Sequence, residues 1–214
     1  MRYATPSCLT ALFSEIIFFA GIIGCAVFAI SGALAAAEKQ QDIMSFILLG
    51  VVTGIGGGTI RDLILNKPQV FWLAEPIYLY VCVIASALTY FIAHYVASKH
   101  RALVWMDAAG LALFSVMATH TSLMWNDSWL VAIAMAMITA SFGGVIRDVM
   151  LDQMPVILEP EIYVSASVTG SLVFLIAHHF QLDSSLSICL GFLGAFCLRG
   201  AAIIWDLRLP KYKD

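Results

Sequence analysis

Seven long runs of the chain contain no Asp, Glu, Lys or Arg, and this pattern restricts the fold more than any other feature of the sequence. A helix that crosses a lipid bilayer needs about 20 apolar residues, and most of the runs have about that length. We therefore expect an all-α membrane protein with seven transmembrane helices. The runs cover residues 16–37, 43–60, 77–97, 108–125, 129–146, 162–180 and 186–198. The fourth is expected to begin near Ala102, and the last to continue past Arg199 to Trp205.

The composition supports this interpretation and excludes other classes of protein. Of 214 residues, 61% are apolar and only 12% are charged, whereas a soluble domain carries about 25% charged residues. Disordered and nucleic-acid-binding chains need far more charge than a net of −3. A cleaved signal peptide is the alternative for the first run, but 22 uncharged residues are too many for the apolar part of such a peptide. We interpret residues 1–214 as a single transmembrane domain.

The distribution of Lys and Arg between the loops predicts the orientation in the membrane. With seven spans, six basic residues fall on the face that carries the C-terminus and two on the opposite face. We therefore expect a protein of the cell (inner) membrane with an extracytoplasmic N-terminus and a cytoplasmic C-terminus. The six residues are Lys39, Lys99, Arg101, Arg208, Lys211 and Lys213, and the two are Arg2 and Lys67.

The chain also contains an internal repeat. Residues 57–65 read GGTIRDLIL and residues 143–151 read GGVIRDVML, so six of nine positions are identical at a separation of 86 residues. The same separation aligns Gly24 with Gly110 and Phe28 with Phe114. Each copy holds three spans, and because three is an odd number, the second copy must enter the membrane from the opposite side. We expect two inverted repeats at about 16–97 and about 102–180, followed by a seventh helix at about 185–206.

Glycines are concentrated in the second and fifth spans. Each glycine inside a helix costs about 1 kcal/mol relative to alanine, and unpaired backbone groups inside a bilayer survive only within protein or beside a wet cavity. We therefore predict that these glycines break both helices and line a pore. Close helix packing is the alternative, above all for the glycines at positions 50, 54 and 58. The candidate pore residues are Gly54, Gly56, Gly57, Gly58 and Thr59 in the second span, and Ser141, Gly143 and Gly144 in the fifth.

Charged residues follow each glycine motif. An arginine within the membrane costs at least about 2.5 kcal/mol and marks a functional site by default. Neighbouring residues on a helix point about 100° apart, so we expect pairing between the repeats, Arg61 with Asp148 or Asp107 and Arg147 with Asp62. The alternative is that both spans end at these residues, with the arginines among the lipid headgroups.

Other polar residues are weaker candidates. For Asp107 an interior and an interfacial position both stay open, whereas Arg199 is expected to extend outward to the headgroups. Thr53 and Thr139 are further hydroxyl groups that could face a cavity, and Ser31 is a weaker one. We interpret the histidines and tryptophans at the run ends as interfacial, and the five cysteines as buried, with no spacing typical of a metal site.

The two Gly-Gly-x-Ile-Arg-Asp motifs and the three-plus-three-plus-one arrangement of spans resemble the TRIC family of trimeric intracellular cation channels, in its prokaryotic branch. The resemblance extends over nearly the whole chain, from about residue 16 to residue 205. It implies a homotrimer with one pore in each protomer, which conducts K⁺ and, less selectively, Na⁺. It also implies kinks at Gly56, Gly57, Gly58, Gly143 and Gly144, with Arg61, Asp62, Arg147 and Asp148 beside the path.

A secondary transporter of a small solute such as glycine is the alternative function, because some bacterial relatives with the same paired motif are assigned to such uptake. We do not expect an enzyme, since the motifs of intramembrane proteases do not occur and each candidate aspartate, Asp62 and Asp148, follows an arginine. No cofactor, metal site or nucleic-acid partner is expected. The expected ligands are permeating K⁺ or Na⁺ and membrane lipid.

Overall fold

The computed structural model describes residues 8–210, with side chains from residue 15 onward. Within this part of the chain nearly all regular structure is helical. The helices are α1 (Cys8–Glu38), α2 (Ile43–Ile64), α3 (Phe71–Ala74), α4 (Ile77–Ile92), α5 (Lys99–Leu123), α6 (Trp129–Met150), α7 (Val164–His179) and α8 (Ser184–Trp205). Short 3₁₀ turns cover Ala93–Tyr95 and Val156–Leu158. The expectations on Arg2, Lys211, Lys213 and the side chain of Cys8 lie outside the described residues. Cys25 and Cys82 are buried as expected, whereas Cys189 and Cys197 are exposed on α8, so the expectation of burial is wrong for these two.

Six of the helices are long and apolar enough to cross a membrane. They are α1, α2, α5, α6, α8 and α4 together with its 3₁₀ extension. The prediction of an all-α membrane protein is therefore confirmed. α7 is apolar but has only 16 residues, so the count of seven spans stays a prediction. As expected, α5 includes Asp107 and α8 continues past Arg199 to Trp205.

Local sequence signals fix the helix ends. Asp42 precedes α2 and its Oδ1 accepts a hydrogen bond of 2.7 Å from the backbone N–H of Ser45, as an N-cap does. α2 and α6 end in the same way, because Asn66 and Asp152 follow them in the left-handed conformation, with φ of 49° and 53°. Asn and Asp adopt this conformation more readily than other residues with a side chain. The two residues are 86 positions apart, so both copies of the repeat turn out of the helix at equivalent positions.

Helix packing repeats at the same separation. α1 packs against α5, and α2 packs against α6. Gly24 lies against the ring of Phe114, and Gly110 lies against the ring of Phe28. The two rings stack with their centroids 5.2 Å apart. The residues that the repeat aligned in sequence therefore contact one another in the centre of the α1–α5 interface.

Two faces of the bundle are distinguished by the helix ends that they carry. Glu38 at the end of α1, His100 at the start of α5 and Asp148 near the end of α6 line one cavity, together with Arg199 of α8. We call this side the C-terminal face. The opposite side, where α2 ends and α6 begins, is called the N-terminal face.

Candidate functional site

The glycine motifs lie where α2 and α6 cross. Both helices are continuous through the motifs, so the predicted breaks are wrong. A Cβ atom at Gly57 would overlap the carbonyl oxygen of Thr139, and a Cβ atom at Gly143 would overlap the carbonyl oxygen of Thr53. These two glycines allow each helix to contact the backbone of the other. In this structure they let the backbones of α2 and α6 approach closely, which was the alternative considered from the sequence.

Gly54 and Gly58 face other partners. A Cβ at Gly54 would lie 2.7 Å from Sγ of Cys82 in α4, so this glycine packs α2 against α4. A Cβ at Gly58 would lie 2.5 Å from the ring of Phe71, the first residue of α3. The short helix α3 had no signal in the apolar pattern, and it covers α2 at the N-terminal face.

Gly56 and Gly144 have more space than the other glycines of the motifs. A Cβ at Gly56 would lie 3.1 Å from the flexible end of the Ile146 side chain. A Cβ at Gly144 would lie 3.4 Å from the hydroxyl of Tyr163, which is an ordinary contact. Neighbouring glycines in each motif are therefore not equivalent.

Three of the four predicted hydroxyl groups near the crossing bond to their own helix. Thr53, Thr59 and Ser141 donate to the carbonyl four residues earlier, at 2.6, 2.8 and 2.5 Å. Thr59 also accepts a hydrogen bond of 2.9 Å from the indole N–H of Trp72. The hydroxyl of Thr139 is buried and has no hydrogen-bond partner among the described residues. It is therefore the one hydroxyl of the four that is available to another ligand.

Arg147 is the centre of a buried cluster near the C-terminal face. Its Nε donates to Asp148 at 2.8 Å, and its Nη1 donates to Asp107 at 2.8 Å and to Ser31 at 2.7 Å. A charge inside protein requires such partners. Asp107 thus lies in the interior, and the role of Ser31 as a ligand of the guanidinium was underestimated from the sequence.

Asp62 is the centre of a second buried cluster near the N-terminal face. It accepts hydrogen bonds from Nε of Arg61 at 2.8 Å and from the backbone N–H of Phe71 at 2.9 Å. Nζ of Lys67 lies 3.1 Å from the same carboxylate. Burial lowers the pKa of Lys67, and the positive charge of Arg61 lowers this pKa further, while Asp62 opposes both effects. Lys67 was not among the predicted site residues, although it follows the motif by only five positions.

The predicted ion pairs between the repeats are wrong. Among the described residues, Arg61 pairs with Asp62, and Arg147 pairs with Asp148 and Asp107. The directions of neighbouring Cβ atoms diverge, but a long guanidinium side chain can fold back to the carboxylate that follows it. All five side chains belong to residues that are at most 5% exposed, so the alternative placement among lipid headgroups does not describe them either.

Arg199 was expected to extend outward, and this expectation is wrong. The residue is 3% exposed, and its Nη2 lies 2.7 Å from Glu161. Its Nη1 donates to the carbonyl of Ile162 at 3.2 Å, and the guanidinium lies 5.1 Å from the ring centre of Tyr163. These partners lie in the connector before α7, and no periodicity in the sequence relates that connector to α8.

An open cavity of about 440 Å³ reaches the Arg147 cluster from the C-terminal face. Four carboxylates and two guanidiniums line the cavity, so the formal charge of its lining is negative when the lining histidine is counted as neutral. A cleft with one dominant sign of charge concentrates ions of the opposite sign. The cavity therefore favours cations. Its charged residues are Glu38, Asp148, Glu159, Glu161, Arg147 and Arg199.

Known proteins resemble this chain along most of its length. The family model described as "Glycine transporter" matches residues 18–94 and residues 104–179, one match in each half. The solved TRIC trimeric intracellular cation channel orthologue from Rhodobacter sphaeroides is 41% identical, with a TM-score of 0.87, over 90% of this chain and all of that one. The chain belongs to the prokaryotic TRIC family.

Other members of the family agree with this assignment. A prokaryotic TRIC channel solved in 0.5 M KCl is 28% identical, with a TM-score of 0.85, over 92% of this chain and 100% of that chain. The UPF0126 inner membrane protein YadS of Escherichia coli K12 is 37% identical over 92% of this chain and 96% of that protein. The Escherichia coli relative is named as an inner membrane protein, and the two solved relatives are named as channels.

Proposed function

We propose that each copy of this chain forms a pore for monovalent cations, permeable to K⁺ and less selectively to Na⁺, along the interface of α2 and α6. The proposal is supported by membership of a family with solved members that are named as cation channels. The observation that carries it is the acidic cavity at the C-terminal face, which leads to the buried Arg147 cluster beside the α2–α6 crossing. The cavity therefore gives cations an access route to the α6 side of the crossing.

Within the interface, the crossing itself is the narrowest part of the proposed path. The backbones of Gly57 and Thr139 are in contact there, as are those of Gly143 and Thr53. Cation passage therefore requires α2 and α6 to separate at this level. The hydroxyl and carbonyl of Thr139 would then face the path, and oxygen ligands of this kind replace the hydration shell of a permeating cation.

The proposed pore is built from two inverted repeats of three spans, with α7 as the sixth span and α8 as the seventh. Support comes from contacts that recur at a separation of 86 residues, among them the reciprocal glycine contacts of α2 and α6. We also propose a homotrimer in the lipid of the inner membrane, with the N-terminus outside and the C-terminus in the cytoplasm. The trimeric relative and the Lys and Arg distribution support these points.

Recording from purified protein in a planar lipid bilayer tests the proposed function. We expect unitary currents in KCl, a reversal potential that indicates cation selectivity in a KCl gradient, and smaller currents in NaCl. Thr139→Val should lower the unitary conductance without loss of stability, because it removes a hydroxyl that has no partner in the described part of the chain. Thr53→Val is the matched control, since that hydroxyl already donates to its own helix. The absence of unitary currents from folded wild-type protein would overturn the proposal.

A transporter of a small amino acid is the second candidate, because the matching family model is described as a glycine transporter. Proteoliposomes with the purified protein distinguish the two functions. Saturable glycine uptake without unitary currents would favour the transporter. Unitary K⁺ currents without glycine uptake would favour the channel.

A further inference from the structure

The two buried charge clusters occupy equivalent positions in the two halves but carry opposite formal charge. Near the N-terminal face, Arg61 and Lys67 surround the single carboxylate of Asp62, which gives +1. Near the C-terminal face, Arg147 lies between the carboxylates of Asp107 and Asp148, which gives −1. The ion pair in each motif is the same, so the difference comes from the third charged residue of each cluster.

The backbone shows that Lys67 and Gln153 occupy equivalent positions in the two copies. Lys67 and Gln153 are 86 residues apart, and each follows a residue in the left-handed conformation. The N–H of Lys67 donates to the carbonyl of Asp62 at 3.0 Å, and that of Gln153 donates to the carbonyl of Asp148 at 2.9 Å. A cationic side chain therefore stands at the N-terminal face where an uncharged one stands at the C-terminal face. The opposite change occurs at Asp107, whose equivalent in the first copy is Gly21.

Lys67 is also the member of its cluster that reaches solvent. Its side chain is 18% exposed, whereas that of Asp62 is fully buried. α3 covers the adjoining part of α2, with the Phe71 ring against Gly58 and the Trp72 indole on Thr59. A cation approaching α2 from the N-terminal face therefore meets the ammonium group of Lys67 at the surface, next to a covered stretch of helix.

We propose that Lys67 is an electrostatic barrier to cations at the N-terminal face, and that the pore therefore conducts cations more readily from the C-terminal face than from the N-terminal face. This inference rests on the proposed channel function. A fixed positive charge lowers the local cation concentration at one mouth, while the negative cavity raises it at the other. The single-channel current should consequently rectify in symmetric salt. A residue that only completes the ion pairs of Asp62 would affect stability but not the shape of the current–voltage relation.

Single-channel recording in symmetric KCl tests the inference, with the orientation of each channel determined by an antibody against a C-terminal tag. The wild type should rectify by about two-fold or more at about 0.1 M KCl, and less at about 1 M, where the screening length falls from about 10 to about 3 Å. Lys67→Gln gives this position the residue type that the second copy has at position 153. The ratio of the currents in the two directions should then approach one. Lys67→Arg keeps the charge and should rectify like the wild type.

Gln153→Lys is the reciprocal variant and should reduce the cation current that enters from the C-terminal face. It also keeps the inference testable if Lys67→Gln does not fold. Linear current–voltage relations in the wild type, or wild-type rectification in Lys67→Gln, would overturn the inference while unitary currents still supported the channel function. If the wild type gave no unitary currents at all, the channel function itself would fail, and this inference with it.

Discussion

Alanine substitutions at adjacent glycines should differ clearly in their effect on stability, and this contrast tests the close-approach role of the glycines at the α2–α6 crossing. A Cβ at Gly57 would overlap a backbone carbonyl oxygen of α6, which no rotation of a side chain can move. A Cβ at Gly56 would meet only the end of the Ile146 side chain at 3.1 Å, and this side chain can adjust. Gly57→Ala and Gly56→Ala differ by one position and share the same change in helix propensity.

The size of the contrast follows from two opposing terms. Replacement of a glycine inside a helix by alanine gains about 1 kcal/mol in helix propensity. An added methyl group in a packed interface costs about 1–3 kcal/mol, and we expect the upper end for Gly57 because the contact is with backbone. Gly57→Ala should therefore lose about 2 kcal/mol, whereas Gly56→Ala should be neutral or gain up to about 1 kcal/mol.

Thermal unfolding of the purified variants in detergent measures the difference. At about 2–4 °C per kcal/mol for a chain of this length, the two melting temperatures should be about 5–10 °C apart. The second copy supplies an independent pair, since Gly143 contacts the carbonyl of Thr53 and Gly144 makes only ordinary contacts. If all four alanine variants shifted the melting temperature equally, the glycines would act through backbone flexibility, and the close-approach argument would be refuted.

The buried charges, the helix caps and the orientation give further expected outcomes. Arg147→Ala should cost about 3–5 kcal/mol, because it strands two buried carboxylates, whereas Arg61→Ala leaves Lys67 beside its carboxylate and should cost less. Equal losses in thermal unfolding would contradict this. Asp42→Ala should lower the melting temperature more than Asp42→Asn, since the amide still accepts the Ser45 N–H. Hydrogen bonds from Ser45 lower the pKa of Asp42. The ionised carboxylate therefore stabilises the folded state at a pH above the ordinary Asp pKa, and this stabilisation is lost as the pH falls through the lowered pKa. Asp42→Asn should lack this pH dependence of stability. A reporter fused to the C-terminus should read out as cytoplasmic, and an extracytoplasmic signal would refute the orientation.

Six apolar helices long enough to span a membrane could be predicted from sequence because they depend on properties that act over many residues. The absence of charge over about 20 positions identifies a helix in lipid without any knowledge of its neighbours. The continuation of α8 past Arg199 followed from the same reasoning. α3 could not be found in this way, because four residues are too few for a periodic signal.

The pairing of charges could not be predicted because it depends on how individual side chains fold and on where the connectors run. The expected pairs assumed that an arginine points along its own Cβ direction, whereas Arg61 folds back to Asp62. Arg199 finds Glu161 in a connector whose path no sequence pattern describes. The glycine motifs could be found in the sequence, but a glycine indicates only that a side chain is absent. Which neighbour requires that absence is decided by tertiary packing.

The two copies of the repeat are alike at the helix crossing, where they contact each other, and differ at the two faces of the bundle. At the α2–α6 crossing each copy supplies one glycine and one carbonyl, Gly57 with Thr53 and Gly143 with Thr139, and each glycine accommodates the other copy's carbonyl. A change in one copy alone would therefore disturb the contact of both. Lys67 and Gln153 lie beyond the ends of α2 and α6, and the backbone N–H of each bonds within its own copy, so these two residues can differ without disturbing the crossing. Symmetry is thus required of the packed crossing, whereas the two faces of the bundle are free to carry different charges.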